Sequence, residues 1–155
     1  MADIVSKSVR SRMMSGIRGK NTKPEMLIRQ ALFARGFRYR LHRRDLPGAP
    51  DILLPKFNAA LFVHGCFWHG HAGCPYFKLP SSNSEFWATK ICGNVRRDEA
   101  SVAVLRARGW RVLVIWECAT RTKVSLDDLY EDISTWLRGS NEFKEIGANF
   151  LHSRA

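Results

Sequence analysis

Between residues 64 and 74 the chain reads His64-Gly-Cys-Phe-Trp-His-Gly-His-Ala-Gly-Cys74, a mixture of imidazoles, thiols and aromatics directly after an apolar run at 59–63. Few packing needs explain it, because the segment is too polar and glycine-rich to form a core of its own. Thiolates and imidazoles are the ligands Zn²⁺ prefers, and a bound ion can organise a loop that cannot pack itself. Cys66, His71 and Cys74 supply three donors, and Cys118, just past a second apolar run at 110–116, is placed where a sheet can return it to the same end. Together they make a Cys₃His set suited to a closed structural zinc site, with His69 or His64 as alternatives to His71. Cys92, on a helical stretch, reads instead as a buried, inert thiol.

Asp51 follows the turn-rich Leu46-Pro-Gly-Ala-Pro50 and opens an apolar strand, so its carboxylate should project from a sheet end into a cleft, where it can hold Mg²⁺. For a lone aspartate after a turn, a capping role is the plainer reading. His64, ending the adjacent strand, and His69, in the loop, weigh against it by bringing a metal-binding acid and a proton-transfer imidazole into one region. Glu25 closes a capping box, Thr22-Lys-Pro-Glu25, which is reason enough for a glutamate, and Asp98 by spacing alone is a solvated helix residue. Phe67 and Trp68 stand on the polar loop, and Phe86 and Trp87 open the next helical stretch near Lys78, Lys90, Arg96, Arg97 and Arg106. Aromatics among cations suit base stacking or wedging into a duplex. Core packing competes with that reading, evenly for Phe86 and weakly for Trp68.

The elements that must position these residues follow from periodicity. The capping box at 22–25 starts a helix in which Leu27, Ala31 and Ala34 recur until Gly36. Short runs at 37–41, 51–54 and 59–63 predict a three-strand meander. Ser82-Asn-Ser-Glu85 offers a second box, opening one long or two shorter helices as far as Arg108, with Gly93 the weak point. The run at 110–116 suits a central strand covered on both faces, and 125–137 is a final amphipathic helix ending at Gly139. Helix, three strands, helix, strand, helix describes an α/β domain, a mixed sheet flanked by helices. Residues 1–20, with Lys7, Arg10, Arg12, Arg18 and Lys20, read as a basic arm, 21–139 as the domain and 140–155 as a tail.

With 155 residues and 45% hydrophobic content the chain suffices for one domain with its own core. Lys and Arg number 25 against 14 acidic residues, a formal charge of +11, which makes nucleic acid the leading partner and an anionic membrane surface the weaker one. A membrane span and a secretory signal are not expected, so the reading is a cytoplasmic protein. Four cysteines are few for a disulfide scaffold.

Taken together, Pro-Gly-x-Pro-Asp51, His64-Gly-Cys-Phe-Trp-His69, Glu85-Phe-Trp87, Lys90-Ile-x-Gly-Asn94-Val-x-Arg-Asp98 and Gly109-Trp-Arg-Val-Leu-x-x-Trp-Glu-Cys118 resemble the very short patch repair DNA mismatch endonuclease family, from about residue 10 to the end of the last helix. The resemblance implies a restriction-endonuclease-like core and a monomeric enzyme that nicks one strand of duplex DNA beside the thymine of a T:G mismatch. Mismatch-repair proteins are candidate partners. It makes Asp51 the Mg²⁺ ligand with the Val63 carbonyl, His69 the general base, Asp98 a supporting acid, and Glu25 and His64 further active-site residues. Cys66, His71, Cys74 and Cys118 fall on the structural zinc ligands. Phe67, Trp68 and Trp87 match a wedge beside the mismatch, Met14 a residue entering from the opposite groove, and Lys90 and Asn94 positions near the mispaired bases. Phe62-Val63-His64 stands where the wider superfamily carries a carboxylate-x-lysine pair, which fits a histidine-based variant of the chemistry. Two readings of other kinds compete: a zinc-stabilised DNA-binding module without catalysis, and a nuclease that cuts paired DNA.

Overall fold

The computed structural model describes residues 21–121 and 126–148, so the basic arm expected at 1–20, including Met14, lies outside the described residues. Helix α1, Lys23–Ala34, begins as its sequence dictates. Thr22 Oγ1 accepts the Glu25 backbone N–H at 3.4 Å and Pro24 occupies the first turn. The Glu25 carboxylate accepts the Asn21 N–H at 3.0 Å, one residue upstream of the reciprocal box contact. The expected meander follows as β1, Arg40–Leu41, β2, Ile52–Leu54, and β3, Ala59–His64. β1 is shorter than its apolar run because Phe37 leaves the ladder to pack its ring 5.3 Å from Phe57 in the core.

Helix α2, Ser84–Ala107, is continuous for 24 residues through Gly93. The box expected at 82–85 does not form: the chain enters the helix through Asn83 in a left-handed conformation, one residue after Ser82, and no side chain caps the first turn. β4, Arg111–Trp116, and α3, Leu126–Arg138, match expectation closely. The tail expected from 140 is corrected by β5, Phe143–Ile146, which pairs parallel with β4 from Val112↔Phe143 to Ile115↔Ile146. Only the two ends of this strand are apolar, so it carries little local signal and forms because β4 offers it an edge.

The sheet order is β1-β2-β3-β4-β5, antiparallel on the β1 side and parallel from β3 onward. Strand alternation sends Ala59 and Leu61 to one face, where Ile28 and Leu32 of α1 and Leu129, Ile133 and Leu137 of α3 cover them. Ala60 and Phe62 face Leu105 of α2 on the other side. β4 is buried on both faces, as its near-continuous apolar content requires. At the far end of the sheet the Arg111 guanidinium donates to the carbonyls of Phe57 (3.2 Å) and Leu137 (3.1 Å), anchoring the end of α3. Among the described residues no helix is long and apolar enough to cross a membrane.

If β5 is integral to the sheet, Ile146→Ala, at a residue 8% exposed, lowers stability in urea titrations by about 2 kcal/mol or more. Lys144→Ala, on the exposed part of the strand, stays within about 0.5 kcal/mol of wild type. Equal and negligible effects would restore the tail.

Candidate active site

Strand directions gather the chemistry at one end of the sheet. β1, β3, β4 and β5 finish there and β2 starts there, so His42, Asp51, His64 and the residues after Trp116 emerge side by side. In the parallel β3–β4 pairing His64 lies opposite Trp116, and Cys66 and Cys118 each follow two residues on. They meet directly, the Cys118 N–H donating to Cys66 Sγ at 3.4 Å. The loop then folds on itself, with His71 N–H donating to the Cys66 carbonyl at 2.9 Å and Cys74 N–H to that of His71 at 3.3 Å.

Cys66, His71, Cys74 and Cys118 thereby offer four ligand atoms within 4.8 Å of one another, a donor set that can hold a metal ion. His71, not His64 or His69, completes the group. Its ring stacks on Trp116 at 4.1 Å with Nδ1 3.5 Å from Cys118 Sγ. The Cys66 thiol, hydrogen-bonding to Cys118, pulls that thiol down to about 5 against the opposing effect of burial, with help from the Ala148 N–H at 3.2 Å and from His71. Cys66 is correspondingly pushed up. One thiol of the pair is thus favoured as thiolate while its neighbour keeps its proton, with all four donors buried or half-buried. Gly147 is required beside them, since a Cβ there would sit 2.8 Å from His71 Cε1. Cys92 stands apart as expected, but it is exposed on α2, so the expectation of a buried thiol was wrong.

The second group is His64, His69 and Asp98. Helix α2 clamps the loop with residues one turn apart: Asn94 Nδ2 donates to the Trp68 carbonyl at 2.8 Å, and Asp98 Oδ2 lies 2.6 Å from His69 Nδ1. Gly70, at φ +63, allows this approach, because a Cβ would come within 2.9 Å of Ile91 and Val95 methyls. Asp98 is therefore more than the solvated residue its spacing suggests. Its contact fixes the His69 ring and leaves Nε2 as the second functional atom. His64 is 6% exposed, stacks on His69 at 3.8 Å with planes 2° apart, and has no hydrogen-bond partner at Nδ1. Burial and then the neighbouring His69 push it down to about 3, so it stays neutral. A cleft of about 610 Å³ between α2 and the sheet reaches all three.

The third group is Glu25, His42 and Asp51. Asp51 Oδ2 accepts the Val63 N–H at 2.8 Å, which ties it to the end of β3. Burial raises the Asp51 carboxyl to about 6, the nearby Glu25 carboxylate adds to the rise, and His42 and His69 oppose it. Glu25 is only 1% exposed, and its Oε2 lies 2.7 Å from His42 Nε2 and 3.5 Å from Arg29 Nη1. Its capping geometry and its place in this group coexist. His42 was not among the candidate residues. The available signal was its position just past the β1 run, which antiparallel register sets opposite Asp51.

Phe67, Trp68 and Trp87 form a half-buried ring cluster, with centroids 5.1 to 5.8 Å apart. Phe86 packs on Trp87 at 5.2 Å and is 59% exposed, which settles its even balance against the core. Lys78, Lys90, Arg96, Arg97 and Arg106 are all exposed nearby in sequence or on α2.

A histidine–aspartate pair beside clustered carboxylates, carried on a chain of charge +11, is the equipment of an enzyme that acts on a polyanion. Comparison with known proteins gives that class a name. A family model described as DNA mismatch endonuclease Vsr matches residues 2–74. The DNA mismatch endonuclease Vsr of Escherichia coli is 38% identical over 154 residues, 98% of each chain. A type II nicking enzyme of Xanthomonas oryzae, V.XorIIP, is 50% identical over 118 residues, 76% of this chain and 86% of its own length. Another, V.NmeAIP of Neisseria meningitidis, is 45% identical over 123 residues, 79% and 87% of the two chains. The chain belongs to the Vsr family and is a DNA endonuclease.

The raised Asp51 carboxyl has a measurable sign. Its folded pKa of about 6 lies above the unfolded value of 3.8, so the native state binds the extra proton in that window and this contribution falls as pH rises through it. His64, pushed down to about 3, has the opposite slope, so the comparison must be made between variants. Asp51→Asn should be more stable than wild type by a margin that grows between about pH 4 and 6 and levels off above, reaching about 3 kcal/mol. Urea unfolding across that range without added divalent cation checks it, and a pH-independent margin would contradict the assigned burial.

Proposed function

We propose that this protein nicks one strand of duplex DNA beside the thymine of a T:G mismatch, with Mg²⁺ at Asp51 and structural Zn²⁺ in the Cys66/His71/Cys74/Cys118 group. The observation that carries the reading is the 2.6 Å His69–Asp98 contact, which holds a proton acceptor close enough to the Asp51 carboxyl to act on it electrostatically. The five-stranded sheet with helices on both faces is read as a restriction-endonuclease-like core, and residues 1–20 as a DNA-contacting arm.

In this mechanism His69 Nε2 accepts a proton from the attacking water, and Asp98 stabilises the imidazolium that results. The water oxygen bonds to phosphorus as the P–O3′ bond breaks, and the departing O3′ takes a proton from solvent, leaving a 5′-phosphate and a 3′-hydroxyl. Asp51 and the Val63 carbonyl are the cation's proposed ligands, and the ion when bound supplies charge neutralisation at the phosphate. His64, buried and neutral, supports the His69 ring from its other face. Phe67, Trp68 and Trp87 are assigned to unstack bases, with Lys90 and Asn94 close to the mispair. Unstacking costs least where pairing is already weak, so the wedge itself favours a mismatch. Three thiolates and an imidazole match the donor preference of Zn²⁺, and the softer set keeps that ion away from the oxygen-rich Asp51. The protein is read as a monomer acting in the cytoplasm on nucleoid DNA, with mismatch-repair proteins as candidate partners.

Asp51→Asn should abolish Mg²⁺-dependent nicking of an end-labelled T:G duplex while leaving mismatch binding intact. His69→Ala should lower the single-turnover rate by about 10²–10⁴. A T:A duplex run in parallel tests the substrate, and equal cleavage of both would reduce the protein to a nuclease for paired DNA. Wild-type nicking by Asp51→Asn would remove the proposed site altogether.

Elemental analysis should return about one zinc per chain. Cys74→Ser should lose that metal and unfold at lower temperature, whereas Cys92→Ser, outside the donor group, should keep both metal and midpoint. A stable wild-type protein free of zinc would overturn the assignment.

A further inference from the structure

His42 has no role in the mechanism above, yet three observations concern it. Antiparallel pairing of β1 with β2, Leu41 opposite Ile52, brings it level with Asp51, and its backbone N–H donates to the Asp51 carbonyl at 3.2 Å. It holds φ +50, a left-handed conformation uncommon for a residue with a side chain, and Nε2 reaches Glu25 Oε2 at 2.7 Å. Its side chain is 20% exposed against 2% for Glu25, so the imidazole lies between the buried carboxylate and the surface.

We infer that His42 is a nitrogen ligand of the cation held at Asp51, with the Glu25 carboxylate as a further ligand, and that this chain's catalytic site therefore favours Mn²⁺ over Mg²⁺ more strongly than an all-oxygen site does. The inference rests on the metal reading of Asp51 above. One atom from each of Glu25, His42 and Asp51 lies within 4.8 Å of the others. The 2.7 Å between His42 Nε2 and Glu25 Oε2 is close to the roughly 3 Å that separates neighbouring ligands of an octahedral cation bound at about 2.1 Å. Two carboxylates alone suit Mg²⁺, whereas an imidazole adds affinity for first-row transition dications and little for Mg²⁺. Arg29 Nη1, 3.5 Å from Glu25 Oε2, also faces this carboxylate. Arg29 cannot donate a lone pair to a metal, so His42 is the residue whose contact a cation can replace directly.

The test uses the full chain with Mn²⁺ as the probe, an ion that thiolates bind weakly. Mn²⁺ and Mg²⁺ affinities are measured by calorimetry for wild type, His42→Gln, His69→Ala and Asp51→Asn, and ¹⁴N coupling to bound Mn²⁺ by pulsed electron paramagnetic resonance. Gln keeps a hydrogen bond to Glu25 but offers no imidazole nitrogen. His42→Gln should lose the ¹⁴N coupling and weaken Mn²⁺ by about 10–100-fold, with Mg²⁺ affinity changed less than about threefold. Coupling that survives His42→Gln and disappears in His69→Ala would overturn the assignment while leaving a metal at Asp51. Equal losses of both ions in His42→Gln would also overturn it, making His42 a positioning residue for Glu25. Mn²⁺ binding unaffected by Asp51→Asn would remove the parent reading and this one together.

Discussion

The parallel register of β3 against β4, with His64 opposite Trp116, is the constraint on which the site depends. It brings the two segments leaving those strands together at Cys66 and Cys118, and so decides where the 64–74 loop is fastened. A slip of one residue would send His64 and Phe62 to the opposite face of the sheet, away from α2 and Asp98, and separate the two cysteines.

Around that constraint the protein keeps ionisable groups in surroundings that oppose their charged forms. Glu25 is almost fully buried, the Asp51 carboxyl is raised by burial, and the His64 imidazole is held neutral. Each arrangement costs stability at some pH, and each leaves a group responsive to a cation or proton arriving from outside. The core offsets this with uninterrupted apolar packing on both faces of β3 and β4. Donor chemistry is also segregated: a sulfur-rich group forms from the segments that follow β3 and β4, while Glu25, His42 and Asp51 gather beside β1 and β2. With the proposed ions, hard and soft donors at neighbouring sites sort the metals without a barrier between them.

Helix α2 links the 64–74 loop to the aromatic cluster. Asn94 and Asp98 hold consecutive loop residues, Trp68 and His69, while Trp87 near its start packs on Trp68 and Phe67. Displacement of those rings by a DNA base would therefore be transmitted to His69 through one peptide unit, a route by which the proposed mismatch contact and the proposed base share a support.

The residue types and their local spacing determined the donor inventory. The thiol–imidazole segment, Asp51 after its turn and, among the described residues, the three α-helices and four of the five strands were legible because each depends on neighbours within a few positions. Tertiary pairing decided which donors meet. His71 rather than His64 or His69 joins the cysteines, Asp98 leaves its solvated reading for His69, and His42 enters beside Asp51 because strand register is a contact between distant segments. β5 and the exposure of Cys92 escaped for the same reason. A short strand with only its ends apolar forms when a partner edge is present, and helical spacing alone does not say which face another layer covers.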